Sequence, residues 1–561
     1  MQDLRPTERY DAIVIGSGFG GSVTTYRLAE GGKRVCLLER GRAYPPGSFP
    51  RDPGGMARNF WDPDNGLYGM FDIWSFTGLE GVVSSGLGGG SLIYANVLIR
   101  KPEEWFLRET RRGGGHEYWP ITRADLDPHY DAVEKVLNAQ QFPFHTAPYS
   151  STAKTRAMQR AAKRLGREWL LPNLAVTFAN PGRPPRPGEV IVGGEDNLHG
   201  AVRTTCRLCG ECDIGCNDGA KNTLDYNYLT LAKKAGAEIR SLSEVVRIEP
   251  QEGGGYCVSG VTHVPASEPA EIPFSLSAER VILAAGTFGS PYLLLRNRAA
   301  FPALSPALGS QFSGNGDLLT FITRATQRHG EETRPHDLFS SRGPVITSAL
   351  RVPDGVEGGG ATGRGFYVED GGNPAFLNWL LQATGSPAMA LRTASFFLRR
   401  VWAHHFQNPQ SNYSGQLAGL INPRDLASRF LPLLAMGRDV PDGVMSLRDG
   451  DLEIKWSTHS SDSYFEGVEE TIGEMANALG GKYHNTPLWL FKRVITVHPL
   501  GGCPMGRNEQ EGVVDRYGQV FGHPGLYVAD GSTMPGPVGP NPSLTIAAFA
   551  DRIADHILTA P

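Results

Sequence analysis

No stretch of this sequence stays apolar long enough to predict a membrane-spanning helix, which needs about 20 such residues. No basic stripe runs along it either: 54 lysines and arginines are interspersed with 58 acids for a net charge of −4, which argues against a nucleic-acid partner. The opening residues, MQDLRPTERYD, hold no apolar run, so no secretory signal is expected and a cytoplasmic protein is predicted. Internal repeats and long low-complexity tracts are also missing, and the one glycine-rich polar run, Asp354 to Gly363, reads as a surface loop. Cysteine is scarce, 7 residues in 561, yet four of them fall within Cys206 to Cys216. What the chain has in quantity is glycine, 70 residues, and proline, 41, which favours a loop-rich enzyme over a helical bundle. Its length predicts two domains, the second inserted within the first.

The most informative stretch runs from Tyr10 to Gly41. Ala12 to Ile15 is a short apolar run of the kind found in buried parallel strands, and Ser22 to Glu30 has helical spacing. Between them lies Gly16-Ser-Gly18-Phe19-Gly20-Gly21. One glycine allows a tight turn, another lets the backbone approach a pyrophosphate, and another lets helix and strand pack closely, with the helix amino end facing the anion. Val35 to Leu38 supplies a second strand, and Glu39 stands where a carboxylate would accept bonds from an adenosine ribose. The unit reads as a dinucleotide site, and the following Arg40-Gly41 looks more like FAD proteins than NAD proteins.

Further on, Gly86-Leu-Gly-Gly-Gly90-Ser91-Leu-Ile-Tyr94-Ala-Asn96 concentrates small residues as if the backbone were pressed against a flat ligand. Ser91 to Arg100 then turns apolar and strand-like. Ala124 to Leu137 has amphipathic spacing and reads as a surface helix of the second domain. Cys206, Cys209, Cys212 and Cys216 have the spacing C-x2-C-x2-C-x3-C of ferredoxin ligands, with Asn217 in place of the usual following proline. An iron–sulfur cluster, another metal such as zinc, paired disulfides and unliganded thiols all remain open for them. Arg280 to Pro291 repeats the strand and glycine-turn logic of the opening, with a helix predicted to start at Pro291. The stretch from Asn315 to Leu490 reads as strand-rich. Within it, Pro374 to Phe406 is apolar and aromatic with interleaved arginines, and reads either as core helices or as a lid that contacts a membrane surface.

Near the carboxyl end, His498 follows an apolar strand and precedes Pro499-Leu-Gly-Gly502, and Asp530-Gly531 ends another buried strand. Asn541-Pro542 is predicted to open a helix, with Asn541 at or near its cap and Pro542 at its first position. Such a helix end would stabilise the negative charge of a reduced flavin.

These motifs, in this order along nearly the whole chain, resemble the glucose–methanol–choline (GMC) oxidoreductases, in particular their cholesterol oxidase branch. The resemblance implies an α/β fold: an FAD-binding Rossmann-like domain of GMC/glutathione-reductase type, formed by residues 8–45, 217–312 and 510–561. A substrate domain on a mixed or antiparallel sheet, residues 46–216 and 313–509, is inserted in it and carries the cysteine-rich insert 204–218 and the lid candidate 374–406. It implies non-covalent FAD held by Gly16, Gly18, Phe19, Gly20, Gly21, Glu39, Gly86, Gly90, Ser91, Tyr94, Asn96, Val245, Gly286, Asp530, Gly531, Asn541 and Pro542. His498 and Asn541 would face flavin and substrate hydroxyl, and Glu369 would supply a carboxylate for double-bond isomerisation. Asp317 departs from the pattern, since asparagine is expected there. The activity implied is oxidation of a lipophilic, sterol-like secondary alcohol, with O2 or an electron-acceptor protein as partner. The cysteines resemble those of FAD sugar dehydrogenases that carry an iron–sulfur cluster, so an FAD dehydrogenase of another alcohol or sugar is the competing reading. A non-catalytic lipid-binding flavoprotein is the third.

Overall fold

Short apolar runs that are buried on both faces build the larger sheet. The structure, a computed structural model, describes residues 6–109, 115–266, 270–329, 332–338, 342–372, 430–486, 488–489 and 492–559. Glu8–Ile15 lies at its centre, with Val35–Leu38 and then Glu238–Arg240 parallel on one side and Ala270–Leu283 parallel on the other. The far end of Ala270–Leu283 pairs in parallel with Leu526–Val528, and its near end pairs antiparallel with Tyr256–Val264, which carries Ser243–Pro250. Ile13, Val14, Leu37 and Ile282 are fully buried, as a parallel sheet covered on both faces requires. Both ends of the chain thus enter one sheet.

Helices Phe19–Glu30, Ser543–Thr559, Arg123–Val136 and Tyr228–Lys234 pack on one another over this sheet. The third corrects the sequence reading. Its buried Leu126, Tyr130 and Val133 belong to the core of the parallel sheet, and Tyr130 Oη bonds Thr545 Oγ1 at 2.9 Å. Amphipathic spacing told which face is apolar but not which core receives it.

The second sheet is antiparallel, in the order Glu168–Leu170, Ala349–Val352, Phe366–Asp370, Leu431–Gly437, Leu318–Thr323, Lys482–Asn485. Helices Ala153–Leu165 and Asp462–Ala478 pack with it. The strand-rich reading missed the second of these. Tyr464, Phe465, Val468, Ile472 and Met475 form its buried face at helical spacing, and such side chains contribute about 1.5–3 kcal/mol each when fully buried.

Two other local expectations change. Ser91 to Arg100 is not a strand: Gly89–Leu92 is a single turn of 3-10 helix and only Val97–Leu98 is extended in a sheet. The helix expected from Pro291 begins at Gly286, with Pro291 inside it. The apolar segment 374–406 lies outside the described residues, and no described helix is long and apolar enough to cross a membrane.

Candidate functional site

The turns at the carboxyl ends of the parallel strands contain two kinds of glycine. Gly16 has φ +99°, and a Cβ there would lie 2.3 Å from the Ala284 carbonyl oxygen; at Gly20 it would lie 1.6 Å from the Ala529 carbonyl oxygen. These two let the strand–turn–helix unit press against neighbouring strand ends. At Gly18, Gly90 and Gly286, by contrast, a Cβ would meet nothing within 4 Å. These backbones border open space, and the Gly89 turn comes against Gly18, so the two glycine loops adjoin.

Buried polar atoms face the same need for a ligand. Asn96 is fully buried at φ +72°, and neither its Oδ1 nor its Nδ2 has a protein partner; the Tyr94 hydroxyl is also buried without one. Leaving such groups unpaired costs about 1–3 kcal/mol apiece, so a bound group that bonds them would recover that cost. Phe19 meets the Tyr94 ring edge-on, with centroids 5.3 Å apart. Ser91 Oγ donates to the Gly88 carbonyl at 2.7 Å and accepts from Leu224 N at 3.1 Å, which fixes the loop. Val245 lies at a β-bulge, where the ladder with Tyr256–Val264 shifts register before Arg247.

The two acids expected at the cofactor are both engaged by the protein. Glu39 accepts from Ser17 N (3.0 Å), Ser17 Oγ (2.6 Å) and Gly41 N (2.8 Å), which leaves some acceptor capacity for a ribose. Burial pushes its carboxyl above the usual range. Asp530 accepts from Gly286 N (2.9 Å), Ser290 Oγ (2.5 Å), Ser532 N (2.9 Å) and Ser532 Oγ (2.6 Å). Its carboxylate is therefore filled by protein donors. It ties the Gly286 turn to the Gly531 turn.

The loop after His498 is held against these turns: Thr287 Oγ1 donates to the Pro499 carbonyl at 2.6 Å, and Gly501 N donates to the Gly531 carbonyl at 3.1 Å. The histidine is oriented from behind by Asp317, whose Oδ1 lies 2.8 Å from His498 Nδ1. Asp317 Oδ2 accepts from Thr496 Oγ1 (3.0 Å), Val497 N (2.9 Å) and His498 N (3.2 Å). A carboxylate bonded in this way is an acceptor, which assigns the hydrogen to Nδ1 and leaves Nε2 with its lone pair. The departure from the family pattern at Asp317 thus has a local purpose.

Asn315, two residues earlier at φ +54°, clamps the other half of the site. Its Nδ2 donates to the Gly539 and Pro540 carbonyls, both at 3.2 Å, and its Oδ1 accepts from Gly539 N at 2.8 Å. Lys101, fully buried, supports the same loop through the Pro537 (2.8 Å) and Val538 (3.0 Å) carbonyls. The loop delivers Asn541, but not as a helix cap. The helix begins at Ser543, the Pro542 carbonyl accepts its first bond from Ile546 N at 2.9 Å, and Asn541 stands just before it. Asn541 Nδ2 instead donates to Glu369 Oε2 at 3.2 Å. Asn541 Oδ1 and Glu369 Oε1 are buried with no protein partner. Burial, with Asp370 and Asp317 adding like charge, pushes the Glu369 carboxyl up to about 8 despite the Asn541 bond.

The turn 313–317 is itself fixed by Asp439, which accepts from Ser313 Oγ and, at 3.0 Å, from Gly314 N. Sequence reasoning named His498, Asn541 and Glu369 as candidates but did not single out Asn315, Asp439 and Lys101, whose bonds hold the turns that carry or adjoin them. The Gly314-Asn-Gly-Asp turn was the one signal available for the first.

A Rossmann-type unit, glycine turns bordering open space, unpaired buried donors and acceptors, and a histidine bonded to a buried carboxylate together point to a dinucleotide-dependent oxidoreductase. Comparison with known proteins narrows the class. Residues 14–68 match the NAD(P)-binding Rossmann-like domain, and residues 194–312 and 483–550 match the two GMC oxidoreductase models. The chain is 30% identical to a cholesterol oxidase of Mycobacterium tuberculosis, with 97% of this chain and 90% of that protein covered. It is 27% identical to a cholesterol oxidase of Acinetobacter baumannii (98% and 94% covered) and 24% identical to a 2-methyl-1,2-propanediol dehydrogenase of Mycolicibacterium austroafricanum (98% and 95%). Its fold is similar to that of the formate oxidase of Aspergillus oryzae RIB40, with TM-score 0.58, 16% identity and 99% of each chain covered. The chain belongs to the GMC oxidoreductase family, in its cholesterol oxidase-like branch, and is an FAD-dependent alcohol oxidoreductase.

Proposed function

We propose that the protein oxidises a secondary alcohol, a sterol-like 3-hydroxyl, to the ketone. FAD, held without a covalent bond by the turns at Gly18, Gly90 and Gly286 and by Tyr94, Asn96 and Glu39, supplies the hydride acceptor when bound. His498 Nε2 takes the hydroxyl proton, and Asp317 stabilises the imidazolium that results. Asn541 Oδ1, which lacks a protein partner, orients the substrate. Glu369 then has a second task. In its ionised form, which burial makes more basic than an ordinary carboxylate, Glu369 can take a proton from carbon at Oε1 and return it, which is what double-bond isomerisation needs. The cholesterol oxidase relatives favour the sterol and favour O2 as electron acceptor.

One observation supports this reading: Asp317 Oδ1 lies 2.8 Å from His498 Nδ1, which favours the tautomer whose Nε2 can act as a base. Anaerobic mixing with sterols, aliphatic alcohols and sugars, followed by flavin absorbance, tests the substrate class. Bleaching by sterols at low concentration is expected; bleaching by sugars alone would overturn it. His498→Ala should slow flavin reduction by about 10²-fold or more. An unchanged rate would remove His498 from the chemistry.

A further inference from the structure

Cys206, Cys209, Cys212 and Cys216 take no part in the alcohol chemistry, yet they are gathered with unusual care. All four line one cavity together with Val176, Lys221, Gly343 and Pro344. All are free thiols, and Cys206 and Cys212 are buried. Positive φ at Leu208 (+62°), Gly210 (+71°) and Gly215 (+87°) folds the loop back on itself between successive cysteines. Main-chain amides point at the sulfurs: Leu208 N lies 3.4 Å from Cys206 Sγ, and Glu211 and Val345 bond Cys209 and Cys212 in the same way.

The rest of the molecule holds this loop in place. Arg51 donates to the Glu211 carboxylate at 2.7 Å and to the Gly215 carbonyl at 2.6 Å. Asn217, standing where a proline was expected, accepts from Phe49 N and donates to the Phe49 carbonyl, both at 3.0 Å. Lys221 is buried, its Nζ donates to the Leu92 (3.0 Å) and Cys212 (2.9 Å) carbonyls, and among the described residues it forms no ion pair. Its charge faces the Cys212 and Cys216 sulfurs together with the Asp213 and Asp225 carboxylates, so the cysteine loop surrounds a buried cation.

Geometry separates the candidate occupants. A single zinc ion would draw four sulfurs to about 2.3 Å from one point, hence within roughly 4 Å of one another. No three of these sulfurs lie within 4.8 Å of one another, since among the described residues only His129, Asp551 and Asp555 gather ligand atoms so closely. A polynuclear cluster puts each thiolate on its own iron and spaces them more widely, and the C-x2-C-x2-C-x3-C run is a spacing that iron–sulfur proteins use. We propose that Cys206, Cys209, Cys212 and Cys216 bind one iron–sulfur cluster. The Cys212–Ile214 turn packs on Gly89–Leu92, and Lys221, 4.8 Å from the Tyr94 ring centroid, joins the two. The cluster would sit directly behind the FAD cradle. The proposal does not depend on which alcohol is oxidised.

Holoenzyme purified without oxygen tests it by iron and acid-labile sulfide analysis and by electron paramagnetic resonance after dithionite. About three to four irons and as many sulfides per chain are expected, with a cluster signal that persists after FAD is released. Cys209→Ser and Cys216→Ser should lose most of the iron and keep their FAD. Iron at background in FAD-replete wild type, zinc in its place, or disulfides pairing these cysteines would each overturn the proposal. The wild-type analysis decides even where a variant fails to fold.

Discussion

The glycine turns of the parallel sheet and the turn 313–317 beside the antiparallel sheet serve one site but are built on opposite rules. In the first, side chains are removed so that backbone can approach backbone or ligand. In the second, side chains are buried and bonded so that His498 and the loop carrying Asn541 are held from behind. Asp317 Oδ2 alone accepts three hydrogen bonds, while Glu369 keeps Oε1 unpaired. A saturated acid positions its neighbour; an unsaturated one is left to act.

The sharpest way to break this comparison is inside the glycine region itself. Gly20→Ala drives a Cβ into the Ala529 carbonyl and should cost about 3 kcal/mol or more, read as loss of folded protein in urea titration. Gly18→Ala has φ −68° and open space, so apoprotein stability should hold within about 0.5 kcal/mol while FAD affinity falls about 10-fold or more. Equal FAD affinity in the Gly18 variant would place the cofactor elsewhere. On the other side, Asn315→Ala leaves Gly539 N and its neighbouring carbonyls without partners. It should cost about 1–3 kcal/mol and lower kcat with it; normal stability and kcat would show the clamp to be idle.

A further contrast between the two regions lies in pH. Glu369 holds its proton up to about 8 in the folded protein, against an ordinary value of 4.5. Its contribution to stability is therefore fully present below about pH 4.5 and is lost as pH rises toward 8. Glu369→Gln carries no such loss, so its Tm relative to wild type should climb by a few degrees between pH 5 and 8. A constant difference would contradict the burial argument.

The same contrast explains what the sequence made legible. Gly16 to Gly21 and Glu39 act within one strand–turn–helix unit, and their spacing shows it. His498 and Asn541 were readable from short motifs carried by the family resemblance. Asp317 and Asn315 act across 181 and 224 residues on His498 and Gly539, and no local pattern records such partners. Arg123–Val136 was recognised as a helix but assigned to the wrong core, because periodicity fixes a face and not the surface it meets. Asp462–Ala478 was passed over where runs of strands surround it.

The most direct test of the central claim is the anaerobic rate of flavin reduction in Asp317→Asn, measured across pH with the best sterol substrate. An amide in place of the carboxylate would donate to Nδ1, move the hydrogen to Nε2 and leave no base facing the substrate. The rate should fall about 10²-fold or more while FAD binding is unchanged. A variant that reduces its flavin at the wild-type rate would show that His498 does not take the proton through Nε2.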